Sequence, residues 1–422
     1  MTDVLIVGGG PAGSSLAYSL AHAGVDVVVV DRACFPRPKP CAEYLSPQAS
    51  RVLAKMGALD AVERSGAAQL AGMVIRAPNG ACIVGEFAGC AVQGFRDRGL
   101  SVRREILDAI LLDRARNAGA RVFEKTHVVQ MERNAQGRVC GARTADGELL
   151  RARLVVGADG LRSVVARRLS LSRGARWPRR IALVTHYRDV GEIGECGEMH
   201  VEGDGYVGIA DVGNGVTTVA LVVPMRRARE LSVGREAFLE RWLASKRQLA
   251  PRFARATRVS PVVVTGPFAS RARRASVPGA ALVGDAADFL DPFTGEGIYA
   301  ALRGGELLAD FIADALRAPT LRRGDQLLAE YDRARRREFR GKWIVESMIA
   351  AVVGSTSLMN RAARVLAARK DMADLLIGVT GDFVPAREVL RLRYLLTMFV
   401  LPATFATRPA ARAGAGHPVA AR

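Results

Sequence analysis

Residues 4–31 read VLIVGGGPAGSSLAYSLAHAGVDVVVVD, and this stretch decides the fold. Residues 4–7 form a short, wholly apolar strand. A glycine-rich turn follows, then a helix predicted over 14–23 and stopped by Gly24, then a second apolar strand over 25–30 that ends in Asp31. Strands that are apolar throughout and alternate with a helix belong to a parallel sheet covered on both faces. Gly8, Gly10 and Gly13 stand at GxGxxG spacing between strand and helix, the context that spacing requires. Gly8 permits the tight turn, Gly10 lets backbone approach a pyrophosphate, and Gly13 lets helix and strand pack closely. The N-terminus of that helix offers free N–H groups and a positive dipole end to phosphates, with Pro11 and Ala12 of the turn as further cofactor contacts. Asp31 is placed to accept hydrogen bonds from ribose hydroxyls, with Arg32 beside it as a further cofactor contact. The turn predicts dinucleotide binding but does not by itself choose between FAD and NAD.

Two later stretches make that choice. Residues 154–160, LVVGADG, form a strand running into an Asp-Gly turn at Asp159 and Gly160. Residues 281–287, ALVGDAA, form another strand, ending at Gly284 and Asp285, and residues 291–298, DPFTGEGI, open a helix predicted over 295–315. In this order, behind an N-terminal fingerprint, they resemble the three-part FAD signature of the aromatic-hydroxylase and geranylgeranyl-reductase superfamily. The resemblance implies FAD as cofactor, held by Asp159, Gly160, Gly284, Asp285, Pro292, Gly295, Glu296, Gly297 and Ile298. Asp285 at a strand end suits the ribityl hydroxyls. A helix starting near Gly295 would aim its N–H groups at the flavin edge where negative charge gathers on reduction. Arg104, four residues before Asp108 on a helix predicted over 104–118, matches the family's arginine near the cofactor.

The loop at residues 38–47, PKPCAEYLSP, brings the resemblance nearest to the geranylgeranyl reductases, whose loop carries a Lys-Pro-Cys-Gly-like run. It adds Lys39 and Cys41 to the cofactor contacts, and Cys41 is also a candidate catalytic residue; Ala42 replaces the family's glycine. The substrate layer departs further. Where those reductases carry Tyr-x-Trp-x-Phe-Pro, this chain has Tyr206-Val207-Gly208-Ile209-Ala210-Asp211. Tyr206 is kept and is a candidate proton donor, while Gly208 and Ala210 leave space where bulky side chains otherwise wall the ring.

The rest of the chain bounds the reading. Its 422 residues exceed a typical domain, and 49% hydrophobic with 24% charged residues describe a globular protein with an ample core. The expected fold is α/β. A discontinuous Rossmann-like FAD domain with a parallel sheet occupies residues 1–70, 95–175 and 270–320. A β-rich, antiparallel substrate domain occupies 71–94 and 176–269. A helical region follows over 321–406, then a tail at 407–422 expected to be disordered. The six cysteines show no CxxC pair, which argues against a disulfide framework or zinc and for a reducing, cytoplasmic setting. The net charge is +19, but the basic residues are nearly all scattered arginines, with no nucleic-acid-binding motif, so nucleic acid is not an expected partner. No stretch reaches the length of a membrane span. The apolar segment at 394–406, YLLTMFVLPATFA, suits a core segment better than a membrane interface, although peripheral membrane contact stays open. His186 and His200 read as structural or surface histidines, and no metal site or GxSxG elbow is found. Without a second GxGxxG, NAD(P)H would act as a transient donor.

Together these features predict an FAD-dependent oxidoreductase driven by NAD(P)H. Its expected reaction is reduction of a carbon–carbon double bond in a lipophilic, isoprenoid- or polyketide-like substrate. The alternative is a monooxygenase that hydroxylates an aromatic or quinone-like ring through a flavin hydroperoxide. A non-enzymatic basic protein would require all the FAD motifs to be idle.

Overall fold

Parallel strands of valine, leucine and isoleucine build the first sheet. In the computed structural model, which describes residues 1–174 and 177–400, its path runs Ser276–Val277, Ala280–Leu282, Leu149–Gly157, Thr2–Val7, Val27–Val30, Arg121–Phe123. All of these pairs are parallel except the edge pair Ser276–Val277 with Ala280–Leu282. Every residue of Val27–Val30 is buried, as an apolar strand in a doubly covered sheet must be. Helix Pro11–His22 packs against helices Arg104–Asn117 and Gly297–Arg317. Gly305 makes the latter contact close: a Cβ there would lie 2.7 Å from the Ala12 carbonyl oxygen.

The second sheet runs Thr257–Arg258, Arg180–Arg188, Thr217–Pro224, Gly205–Asp211, Cys196–Glu202, Gly72–Arg76, Cys82–Glu86. It is antiparallel as expected except at one place, where Cys196–Glu202 pairs in parallel with Gly72–Arg76. The strands on the two sides of that seam come from segments separated by the cofactor-binding unit. The weak hydrophobic alternation of the 181–224 region has a physical reason: both faces of its strands are buried. Ala182, Val184, Tyr206, Ala210 and Val222 face the C-terminal helices, while Leu183, Val207, Ile209 and Leu221 pack with Phe238 and Trp242 of helix Arg235–Ala244. With apolar side chains on both sides, the usual period of two is lost.

Beyond residue 320 the chain is helical, as expected, in helices Leu321–Val353, Thr356–Ala368, Lys370–Thr380 and Leu392–Phe399. Helices Thr356–Ala368 and Lys370–Thr380 lie on strand Cys82–Glu86 of the second sheet, with Ile377 set against Gly85, while Leu321–Val353 packs on helix Gly297–Arg317 and strand Ser276–Val277 of the first. Two expected helix starts are corrected. The helix predicted over 14–23 already begins at Pro11, which suits the first helical position because the N–H it lacks would be unpaired there. The helix predicted from residue 295 starts at Gly297, because Gly295 has φ +71°, a left-handed conformation that helix cannot include. A single turn, Pro292–Thr294, precedes it and is capped by Asp291, whose side chain accepts the Phe293 N–H at 3.1 Å. Of the segment at 394–406, residues 394–400 are described, mostly the end of helix Leu392–Phe399, with Met398 buried and Val400 65% exposed. Residues 401–406 and the tail at 407–422 lie outside the described residues. No helix among the described residues is long and apolar enough to cross a membrane.

Candidate active site

The glycine-rich turn is held from behind. Gly8 has φ +109°, and a Cβ on Gly13 would run into the Gly8 carbonyl oxygen, so helix and strand touch backbone to backbone. Asp31 accepts hydrogen bonds from Gly9 N at 2.8 Å and Ala33 N at 2.9 Å. It therefore fastens the turn to the end of the second strand; it was expected to meet a ribose, but it does not line the cavity described below. Arg32 next to it is exposed and lies off the cavity described below. Helix Pro11–His22 has no side-chain cap, which leaves its first N–H groups for a ligand.

Cations surround that helix end. Arg104 is buried and binds Asp108 through two hydrogen bonds of 2.7 and 2.8 Å, and Arg37 approaches the same carboxylate at 3.3 Å. A methyl group on Gly10 would lie 3.6 Å from Arg37 Nη2 and 3.9 Å from Arg104 Nη2. Burial would lower the Arg104 pKa, but the Asp108 charge and contacts with Cys41 hold it above the ordinary value. Lys39 goes the other way: burial and the neighbouring Arg104 charge lower it. Asp285 is raised by burial, against the pull of Lys39 and Arg104.

From this turn a cavity of about 390 Å³ runs between the two sheets and the C-terminal helices. Gly10, Pro11 and Ala12 line one end, with Lys39, Cys41 and Arg104 beside them. Gly160, Gly284 and Asp285 come next, followed by Pro292, Gly295, Gly297 and Ile298. Tyr206, Gly208 and Ala210 wall the far side, so residues from all three motifs and the substrate layer share one space. Four expected contacts besides Asp31 and Arg32 sit behind the wall. Gly8 and Gly13 serve packing, and Asp159 accepts Val164 N at 2.6 Å, fixing the helix Val164–Arg168 that follows its turn. Glu296 is buried toward helix Leu321–Val353, 3.3 Å from Lys342.

The candidate catalytic residues have defined partners. Tyr206 Oη donates to Asp291 Oδ1 at 2.7 Å, and Asp291 Oδ2 pairs with Arg180 at 2.6 Å. Burial and the Asp291 charge raise the Tyr206 phenol well above its usual 10. Cys41 is half-buried, and its Sγ accepts Glu43 N at 3.3 Å. Sequence reasoning assigned no role to Glu43, which is buried at φ +64°. It accepts Arg104 N at 2.9 Å and joins His186 Nε2 at 2.8 Å, while His186 Nδ1 meets Ser260 Oγ at 2.9 Å. His186 therefore bridges the cofactor loop to the second sheet, a tie between distant segments that no local motif announces. Arg37 and the cavity-lining Lys342 and Glu346 were missed for the same reason.

Glu198 on the cavity wall is held by His200 Nε2 at 2.8 Å and by two hydrogen bonds from Arg252 at 2.6 and 2.8 Å. Burial opposes its ionisation, but the His200 and Arg252 hydrogen bonds and the Arg252 charge bring it down to about 2 from an ordinary 4.5. A carboxyl lowered on folding stabilises the native state fully above its unfolded value and loses that contribution as pH falls through the folded one. Urea unfolding of wild type should therefore weaken between pH 4.5 and about 2. The Glu198→Gln variant should lose less stability over the same window; equal slopes would contradict the assignment.

The geometry fits FAD. A helix N-terminus without a cap, the cations Lys39 and Arg104, an enclosed acid at Asp285 and glycine backbone at 295 and 297 line one continuous cavity. Among the described residues no group of histidines, cysteines and carboxylates could hold a metal ion. The fold and site define an FAD-dependent oxidoreductase. The family described as "FAD binding domain" matches residues 1–342. A digeranylgeranylglycerophospholipid reductase of Methanopyrus kandleri is 30% identical over 394 residues, covering 90% of this chain and 93% of the relative. A menaquinone reductase of Mycobacterium tuberculosis is 28% identical over 326 residues, covering 74% and 76%. PqsL of Pseudomonas aeruginosa, solved in complex with 2-aminobenzoylacetate, superposes with TM-score 0.69 at 25% identity, covering 84% of this chain and 97% of that one. The chain belongs to the FAD binding domain family and, within it, to the geranylgeranyl reductase group that its motifs resemble.

Proposed function

We propose that the protein reduces a carbon–carbon double bond in a lipophilic, isoprenoid-bearing substrate, with NAD(P)H as the transient donor. One observation carries this reading. A second cavity, of about 100 Å³, shares Met73, Met199, Phe293 and Thr294 with the first and is otherwise walled by apolar side chains such as Ile349, Leu366 and Met398. A long hydrocarbon chain needs such an extension beyond the ring site, whereas a compact aromatic substrate does not. The names of the two reductase relatives, both for prenyl lipids, agree with it.

Bound FAD supplies the hydride in this chemistry. The chain's own residues hold and shield the reactants. Arg104 and Lys39 face the phosphate end, Gly295 and Gly297 offer backbone at the ring end, and Phe293, Met199 and Leu70 keep water from the double bond. Helix Leu392–Phe399 lines the second cavity with Tyr394, Leu395 and Met398 and exposes Leu392 on its outside, an arrangement that supports peripheral membrane contact where a lipid would enter.

The test offers the flavin-loaded enzyme NADPH, a menaquinone or a geranylgeranyl phospholipid, and heavy-isotope dioxygen. A product heavier by two hydrogens supports reduction, and one carrying a heavy oxygen overturns it. That second outcome is the monooxygenase reading, which the small Gly208 and Ala210 and the aromatic ligand of PqsL favour. Filling the cavity checks its use: Ala210→Phe should keep bound FAD and cut turnover about tenfold or more. Unchanged turnover would place the substrate elsewhere.

A further inference from the structure

Reducing an isolated double bond takes a proton as well as a hydride, and the polar groups on the cavity wall differ in their capacity to give one. The Tyr206 proton is committed to Asp291. Asp291 is paired with Arg180, and Glu198 with Arg252. Asp285 faces Lys39 and Arg104. On the opposite wall, helix Leu321–Val353 brings Lys342 and Glu346 to the cavity, and Glu296 lies behind them at the start of helix Gly297–Arg317.

Three carboxyls converge on one ammonium there. Lys342 Nζ lies 2.6 Å from Asp382 Oδ1 and 3.3 Å from Glu296 Oε2, and sits 5.1 Å from the centre of the Tyr299 ring. Glu346 stands one turn after Lys342 on helix Leu321–Val353 and lies beside Glu296. Were all three acids ionised, a region closed to water would hold two uncompensated negative charges, a cost that retained protons remove. A second observation points the same way. Glu296 Oε2 is buried, with its side chain only 3% exposed, yet it has no hydrogen-bond partner as a carboxylate. Its one near neighbour of opposite charge is Lys342 at 3.3 Å, and a proton held between the two glutamates would give that oxygen a hydrogen bond.

We propose that Glu346, sharing a proton with Glu296 behind it, is the acid that protonates the substrate carbon next to the one receiving the hydride. The assignment rests on the double-bond reductase reading. The Glu346 O–H bond breaks and its electron pair stays on the carboxylate. The π electrons of the double bond take up the proton at one carbon, and the neighbouring carbon takes the hydride. Lys342 steadies the carboxylate until water returns the proton. Burial raises Glu296 well above the usual carboxyl range and raises Glu346 and Asp382 too, against the pull of Lys342. The other polar groups facing this cluster are Tyr44, Tyr299, Ser46 and Asp291.

The experiment uses FAD-loaded enzyme reduced with dithionite and mixed with a menaquinone bearing an unsaturated chain, in H2O and D2O. Glu346→Gln should slow formation of the saturated product by about 10²–10⁴-fold, the usual worth of general acid catalysis, and Glu346→Asp should recover part of it. The flavin spectrum and its reduction by dithionite should not change, which separates this loss from misfolding. In the oxidised holoenzyme an infrared band of a protonated carboxyl should be present in wild type and lost in both Glu346→Gln and Glu296→Gln. A Glu346→Gln rate and solvent isotope effect equal to wild type would overturn the acid role. A band that survives both variants would overturn the shared proton, whatever turnover shows. A wild type that keeps the band but leaves every double bond intact would overturn the reductase reading, and the acid role with it, but not the shared proton.

Discussion

Replacing Arg104 by Met should destabilise the protein by about 3 kcal/mol or more and yield protein that purifies without its yellow flavin. Arg104 and Asp108 form a buried, doubly hydrogen-bonded pair one helical turn apart, and Asp108 is completely inaccessible. Removing the guanidinium leaves a buried carboxylate whose remaining cation, Arg37 at 3.3 Å, compensates only in part. The usual penalty for breaking such a pair is about 3–5 kcal/mol, and Arg37 places this case at the lower end. The same guanidinium also faces the turn at Gly10, so the loss reaches the cofactor directly. A double replacement separates the two roles. Arg104→Met with Asp108→Leu removes both charges and should regain most of the stability, as apolar replacement of a buried pair commonly does, yet still bind flavin poorly. Urea midpoints and flavin content read the two effects independently. A single variant as stable as wild type would show that the pair contributes nothing net to folding.

How much of this was legible in the sequence follows from what each feature depends on. The parallel sheet was readable at residues 4–31 because strand, turn and helix are contiguous and each residue choice points the same way. Gly10, Asp285 and Gly297 were legible because their motifs are short and sit at strand ends or helix starts. The parallel seam between Gly72–Arg76 and Cys196–Glu202 was not, since it joins segments more than a hundred residues apart and leaves no local trace. Gly295 shows a finer limit. The sequence suggests a helix through it, and only the left-handed backbone reveals that the helix begins two residues later. Lys342, Glu346 and Asp382 belong to no motif in the sequence; their meaning arises when the C-terminal helices fold back over the cavity. Glu43 likewise gains a role only when His186 arrives from the second sheet.

The glycines of the first turn carry the other large effect, and two of them should fail in different ways. Gly13 sits where helix Pro11–His22 crosses the end of strand Thr2–Val7, and any Cβ there would overlap the Gly8 carbonyl oxygen. Gly8 cannot yield, because at φ +109° it is itself pressed against the backbone of Ala158. Gly13→Val must therefore push the helix off the sheet, at a cost of about 3 kcal/mol, the upper part of the range for overpacking. The displaced helix end carries its free N–H groups away from the cavity, so FAD binding should be lost together with stability. Gly10 is different. Its Cβ would meet nothing closer than the Arg37 side chain at 3.6 Å, ordinary contact distance, so the protein without cofactor has room for Gly10→Ala. The space that methyl would occupy lies on the cavity wall, between the helix end and two guanidinium groups, where a pyrophosphate fits. Gly10→Ala should thus keep the wild-type urea midpoint of the apoprotein and weaken FAD binding at least about tenfold, the factor that 1.4 kcal/mol supplies. Fluorescence titration of the two apoproteins with FAD, beside their urea curves, distinguishes packing from recognition. Wild-type affinity in Gly10→Ala would mean that the pyrophosphate does not pass over Gly10, and the cations at Arg37 and Arg104 would then need another ligand.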